Sequence, residues 1–169
     1  MKQKWLTLSL RGLRQNRWRA DRQAILDFNR SLLLFADPDA LMASISSRLK
    51  EIFSPDCIII LRAADAGIFT LVFSSGCEAN DLKSIQLTQR DRLAKWLQTN
   101  EEALIVGRDP SLSSYLSQAE REMLETLNVK VCVPLLAMNR LTGIMMLCSR
   151  NRDWKIDQDH IALLEMLVS

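Results

Sequence analysis

Two apolar runs separated by a short break, with an amphipathic segment after them, constrain this chain more than anything else in it. The first is Val129-Lys130-Val131-Cys132-Val133-Pro134-Leu135-Leu136, and the second is Leu141-Thr142-Gly143-Ile144-Met145-Met146-Leu147-Cys148. Each has strand length and a strand-like choice of residues. Asp157 to Val168 then places apolar residues at helical spacing behind an acidic start, which suits the positive end of a helix. Two strands around a tight connection leave an apolar face, and the helix must cover it.

Similar patterns run upstream. Asp37-Pro38 breaks one pattern and opens the next, because proline suits a first helical turn and Asp37 a cap. The helix predicted from Asp39 to Phe53 carries the stripe Leu41, Met42, Ile45, Leu49, Ile52, Phe53. Cys57-Ile58-Ile59-Ile60-Leu61 shows no polar alternation, so it reads as a strand covered on both faces. A turn through Gly67 leads to Ile68–Ser74 as its antiparallel neighbour, and Ser75–Asp81 reads as a polar loop. Thr88 is placed to cap a helix from Gln89 to about Thr99, followed by a short strand, Ala103–Val106. Ser111–Ser117 reads as irregular, and Ser117-Gln118-Ala119-Glu120 is a capping-box pattern opening a helix to Leu127. The sum is an α+β domain with a central antiparallel sheet of at least five strands.

Residues 1–36 are a different object. Eight Lys and Arg stand against two Asp in residues 1–35, giving +6, so the rest of this +2 chain carries −4. Leu6, Leu10, Leu13, Phe28 and Leu32 recur at helical spacing, with Arg17 interrupting the seam. A long amphipathic helix cannot bury such a stripe alone. Pairing with a second copy is the expected use, with Arg17 helping to fix register. Trp5, Trp18 and the arginines would also suit an anionic membrane surface, and docking on the chain's own domain stays open. No groove-reading motif accompanies the basic residues, which argues against nucleic acid.

The four cysteines, Cys57, Cys77, Cys132 and Cys148, form no CxxC pair. They read as small buried hydrophobes of a reducing cytosol. Cys77, in its polar loop, is the one candidate redox thiol, although Glu78 beside it has the wrong sign to favour a thiolate. His160 is the sole histidine, so neither a catalytic triad nor a His-pair metal site can be assembled. Glycine-rich phosphate loops are absent, and the carboxylates fall in helix starts and loops. No catalytic residue and no cofactor is assigned; the domain reads as non-enzymatic. No apolar run approaches the about 20 residues a bilayer crossing needs. The expected location is the cytoplasm, with a membrane reached at most through a neighbouring segment.

From about Asp37 to Val168 the chain resembles the GAF domain, a relative of the PAS domain found in bacterial signalling proteins. Four stretches carry the resemblance. Leu93–Ile105 looks like the family's helix entering a short strand, and Val129–Leu135 like its S-x-x-x-V-P-L strand. Leu141–Leu147 resembles its G-x-L-x-L strand, and Trp154–Asp159 with Leu163-Leu164 the F-x-x-E-D opening of its last helix. Cyclic-nucleotide-binding relatives carry an N-K … F-x-x-x-D-E signature. Here those positions read Asn139-Arg140 and Trp154 … Gln158-Asp159, so the resemblance does not extend to that ligand. The Cys-His pair of pigment-binding relatives does not occur.

The basic stripe reads as one unit, 1–36, a signalling or dimerisation helix, and the resemblance implies a second, 37–169, a GAF-like sensor. The resemblance also implies a ligand pocket between the sheet and the elements crossing one face. Phe73, Ser75, Cys77, Trp96, Tyr115, Cys132 and Met145 are the candidate lining residues. The expectation is a regulatory sensor of a histidine kinase, cyclase or regulator, acting as a homodimer that binds a small ligand. A helical pattern running to Ser169 without a C-cap reads as leading into an output domain. A ligand-free scaffold is the alternative. An oxidoreductase using Cys77, as in relatives that reduce oxidised methionine, needs a second thiol in reach.

Overall fold

The computed structural model describes residues 38–154 and 156–168. The helix expected over residues 1–36, with its stripe Leu6, Leu10, Leu13, Phe28 and Leu32, lies outside the described residues. Helix α1 (Pro38–Phe53) is followed by strands β1 (Cys57–Ala63) and β2 (Phe69–Ser75), then the short helix α2 (Ala79–Leu82). Helix α3 (Arg92–Asn100), strand β3 (Leu104–Ile105), helices α4 (Pro110–Tyr115) and α5 (Gln118–Thr126) come next. Strands β4 (Val129–Ala137) and β5 (Arg140–Cys148) and helix α6 (Gln158–Val168) complete the order.

The five strands form one antiparallel sheet in the order β2-β1-β5-β4-β3. Strands β1 and β5 run inside it, which is why neither shows polar alternation. The β4–β5 hairpin closes on Met138 and Asn139, both at positive φ (52° and 58°), with Ala137 paired to Arg140. That conformation matches the right-handed twist of the flanking strands.

Alternation along the strands divides the core in two. Ile59, Leu61, Cys132, Ile144 and Met146 point to one face, where Leu93, Leu97, Leu116, Met123 and Leu124 cover them. Ile58, Ile60, Val131, Val133, Met145 and Leu147 point to the other, against Leu49 and Phe53 of α1 and Leu163 and Leu164 of α6. Each leucine so buried contributes about 1.5–3 kcal/mol. The two terminal helices meet directly. The Phe53 and His160 rings pack tilted at 50°, with centroids 5.2 Å apart, and the Trp154 indole N–H, just before α6, donates to the Phe53 carbonyl at 2.8 Å.

Four local expectations need correction. Thr88 does not cap α3, which begins at Arg92. Residues 87–89 instead run beside the start of β2, with Phe69 N–H on Leu87 O and Gln89 N–H on Gly67 O, both at 2.8 Å. Long-range pairing there outweighs a local cap. The polar loop after β2 contains α2, and the segment expected to be irregular contains α4, which Asp109 caps by accepting the Ser111 amide at 2.8 Å. Finally, Cys57 and Cys77 are not separate buried hydrophobes: they form a disulfide, with Cα atoms 5.1 Å apart. Cys132 and Cys148 are free and buried.

Candidate functional site

Helix α3 buries Leu93, Ala94 and Leu97 and turns Trp96 to its flank, half-buried. It ends at Glu101 in the left-handed region (φ 56°), whose amide bonds Leu97 O at 3.0 Å. The chain then reverses into β3, whose two residues point to opposite faces: Leu104 joins the core under α3, and Ile105 packs with the core under α1 and α6. Gly107, at φ +81°, turns the chain into Asp109 and α4. The Ser111 hydroxyl and then its amide hold the Asp109 carboxyl below the usual carboxylate range.

Two arginines fix α4 in place. Arg92 of α3 donates to Tyr115 O at 2.7 Å, with its guanidinium carbon 5.9 Å from the tyrosine ring centroid, within cation–π range. Arg121 of α5 donates to Ser113 O at 2.8 Å and Leu116 O at 2.7 Å. Between α3, β3 and α4 these ties leave a cleft of about 320 Å³, lined by Trp96, Leu104, Ile105, Arg108, Leu112 and Tyr115 among others. Arg108 takes part in no ion pair among the described residues. The cleft therefore pairs aromatic and aliphatic walls with one guanidinium; the Asp109 carboxylate also lines it, with one oxygen accepting both the amide and the hydroxyl of Ser111. Its volume lies at the small end of ligand pockets.

Of the residues singled out from sequence, Trp96 and Tyr115 meet in this cleft. The others do not join them. Cys132 and Met145 are buried on opposite faces of the sheet, so no one cavity holds both. Phe73 packs on the α1–α6 side. The Ser75 hydroxyl accepts from Lys50 Nζ at 2.7 Å, and Cys77 is bonded to Cys57. Arg108, Leu112 and Ile105 escape sequence reading because β3 is two residues long and α4 six. The one local signal was Asp109-Pro110, a cap followed by a first-turn proline.

Residues 37–168 match the sequence profile described as GAF domain. The chain belongs to the GAF domain family. No curated protein matches it. Solved structures of GAF domains share its fold. A GAF domain/HD domain protein from Geobacter sulfurreducens is 20% identical with a TM-score of 0.64, over 80% of this chain and 89% of that one. The GAF domain of a two-component sensor histidine kinase from Bacillus halodurans is 15% identical with a TM-score of 0.58, over 79% and 90%. The GAF domain of a phosphoenolpyruvate-protein phosphotransferase from Coxiella burnetii is 17% identical with a TM-score of 0.56, over 89% of each. Among the described residues of this GAF domain, no helix is long and apolar enough to cross a membrane.

Proposed function

We propose that this GAF domain is a non-catalytic regulatory sensor of a bacterial signalling protein. It holds a small ligand in the α3–β3–α4 cleft and reports it through α1 and α6. Its GAF-domain neighbours belong to a sensor histidine kinase and a phosphotransferase, among others, and support that class. The observation that carries the mechanism is the position of β3. Leu104 and Ile105 both line the cleft, yet one belongs to the core under α3 and the other to the core under the terminal helices. A ligand that moves β3 therefore acts on both cores at once. Such a ligand shifts the helices only by its differential affinity for the two arrangements.

The chemistry of the walls selects the ligand class. Trp96 and Tyr115 suit a flat or apolar body, and Arg108 an anionic group such as a carboxylate. The proposed output is a homodimer in which α6 and the basic segment of residues 1–36 pair between copies.

Thermal-shift screening of the full chain against small aromatic and aliphatic carboxylates tests this. The expected result is a rise in melting temperature that Arg108→Ala abolishes while leaving the unliganded melting temperature unchanged. A rise that survives Arg108→Ala would place the ligand elsewhere.

A ligand-free scaffold is the second reading, and one observation favours it. The space between the sheet and helices α3 and α5 is filled by Leu87, Leu93, Leu97, Leu104 and Leu124, each 3% exposed or less. No response to any compound, together with dimerisation in light scattering, would support it.

A further inference from the structure

We propose that Cys57 and Cys77 form a reversible dithiol–disulfide site, oxidised by a small peroxide and reduced by a low-molecular-weight thiol. It goes beyond the sensor proposal and requires no ligand in the α3–β3–α4 cleft.

The bond joins the first residue of β1 to the loop after β2, and its Cα separation of 5.1 Å lies well within disulfide range. Gly76 makes this approach possible. At φ +79° its backbone passes so close to β1 that a Cβ there would stand 2.1 Å from Asp56 O.

The bond is also reachable. Cys57 and Cys77 line a cleft of about 210 Å³ together with Gly76, Glu78, Cys148 and Arg150. Cys77 is the more exposed of the two residues. Glu78 pairs with Arg150, which also stands 3.8 Å from Asp81; Asp56 lines the same cleft, so one guanidinium faces three carboxylates there and the thiolate forms against an acidic surround. Cys148, the β5 partner of Cys57, lines the same cleft. Burial pushes its thiol up to about 12, so it stays protonated and leaves the exchange to the other two.

The oxidation balances as follows. The Cys77 thiolate attacks one peroxide oxygen, the O–O bond breaks, and the departing oxygen leaves as water after taking a proton. Cys77 becomes a sulfenic acid. The Cys57 thiol then attacks that sulfur, the S–O bond breaks, a second water leaves, and the S–S bond forms. Two electrons pass from the two thiols to the peroxide. In reduction, one external thiolate forms a mixed disulfide at Cys77 and releases Cys57, and a second displaces Cys77 and leaves as the external disulfide.

The bond is fastened to the segment that leads into α6. Asp56, next to Cys57, accepts the Ser149 hydroxyl at 2.8 Å and the Arg150 amide at 2.7 Å, while Arg150 reaches back to Glu78 beside Cys77. Releasing the disulfide loosens both ends of this clamp.

The test uses the full chain, reduced with dithiothreitol, freed of it, and treated with a stoichiometric amount of hydrogen peroxide. Alkylation, intact mass and a peptide map then report the thiols. The expected product has lost two hydrogens and contains a single cross-linked peptide joining Cys57 to Cys77. Cys77→Ser yields no cross-link, and its residual reaction stops at single oxidation. Amide exchange over residues 149–154 is faster in the reduced form. Three results would overturn the proposal: both thiols remaining alkylatable after peroxide, a bond through Cys132 or Cys148, or a bond that dithiothreitol cleaves only after unfolding. Unchanged amide exchange would overturn the clamp. None of these depends on whether the α3–β3–α4 cleft takes a ligand.

Discussion

The carboxylate of Glu120 accepts the backbone N–H of Leu93 at 2.6 Å, across 27 residues of sequence. Its other oxygen accepts the Ser117 amide at 2.7 Å, closing the capping box of α5. One buried carboxylate, 5% exposed, thus satisfies amides near the starts of two helices. Glu120→Ala leaves both donors without a partner in a dry environment. The expected cost is about 2–4 kcal/mol in urea unfolding. A loss under about 0.5 kcal/mol would mean that water reaches both amides.

Met138 occupies a left-handed turn position at φ 52° and is 97% exposed. It bears the steric cost of that backbone and returns no packing. Met138→Asn or Met138→Gly should stabilise the domain by roughly 0.5–1 kcal/mol. Chemical denaturation checks this, and a destabilised pair of variants would show that the turn has a different conformation.

Asp56 governs part of the acid stability. The Ser149 hydroxyl, and next the Arg150 amide, hold its carboxyl below the ordinary range. A group with a depressed folded pKa adds stability above its unfolded value, near about 3.9, and that stability is lost as pH falls through the folded value. Melting temperatures recorded from about pH 5 down to about pH 2 should therefore fall more steeply in the wild type than in Asp56→Asn. Parallel curves would remove Asp56 from this role.

The Cys57–Cys77 bond closes a loop of sequence separation 20. Constraint of the unfolded chain by a loop of that size is worth about 3 kcal/mol. Cys77→Ser should lose about that much relative to the oxidised wild type and about nothing relative to the reduced one. Gly76→Ala, which drives a Cβ into Asp56 O, should cost about 2 kcal/mol or more in either redox state. Equal stability of oxidised and reduced wild type would contradict the first expectation.

Sequence was most legible where the physics is local. The capping box at Ser117 and Glu120, the stripe of α1 from Met42 to Phe53, and the β4–β5 hairpin all follow from spacing, and the structure forms them as read. What sequence could not show is long-range. Glu120 reaching Leu93, Thr88 bridging to Ile68 and Cys77 meeting Cys57 are each set by how separate elements pack. The candidate lining residues suffered from strand parity. Cys132 and Met145 sit in adjacent strands with a register shift nearby, and only the pairing of Cys132 with Met146 reveals that Met145 faces the other way. Trp96 and Tyr115 come together because α3 and α4 are tied by Arg92, a contact 23 residues apart.

The most direct measurement is a native mass spectrum of the chain purified without added ligand, beside Arg108→Ala and Trp96→Ala. The sensor account predicts a dimer carrying extra small-molecule mass in the wild type, and that mass missing from both variants. A bare wild-type chain that also stays monomeric at high concentration would contradict it.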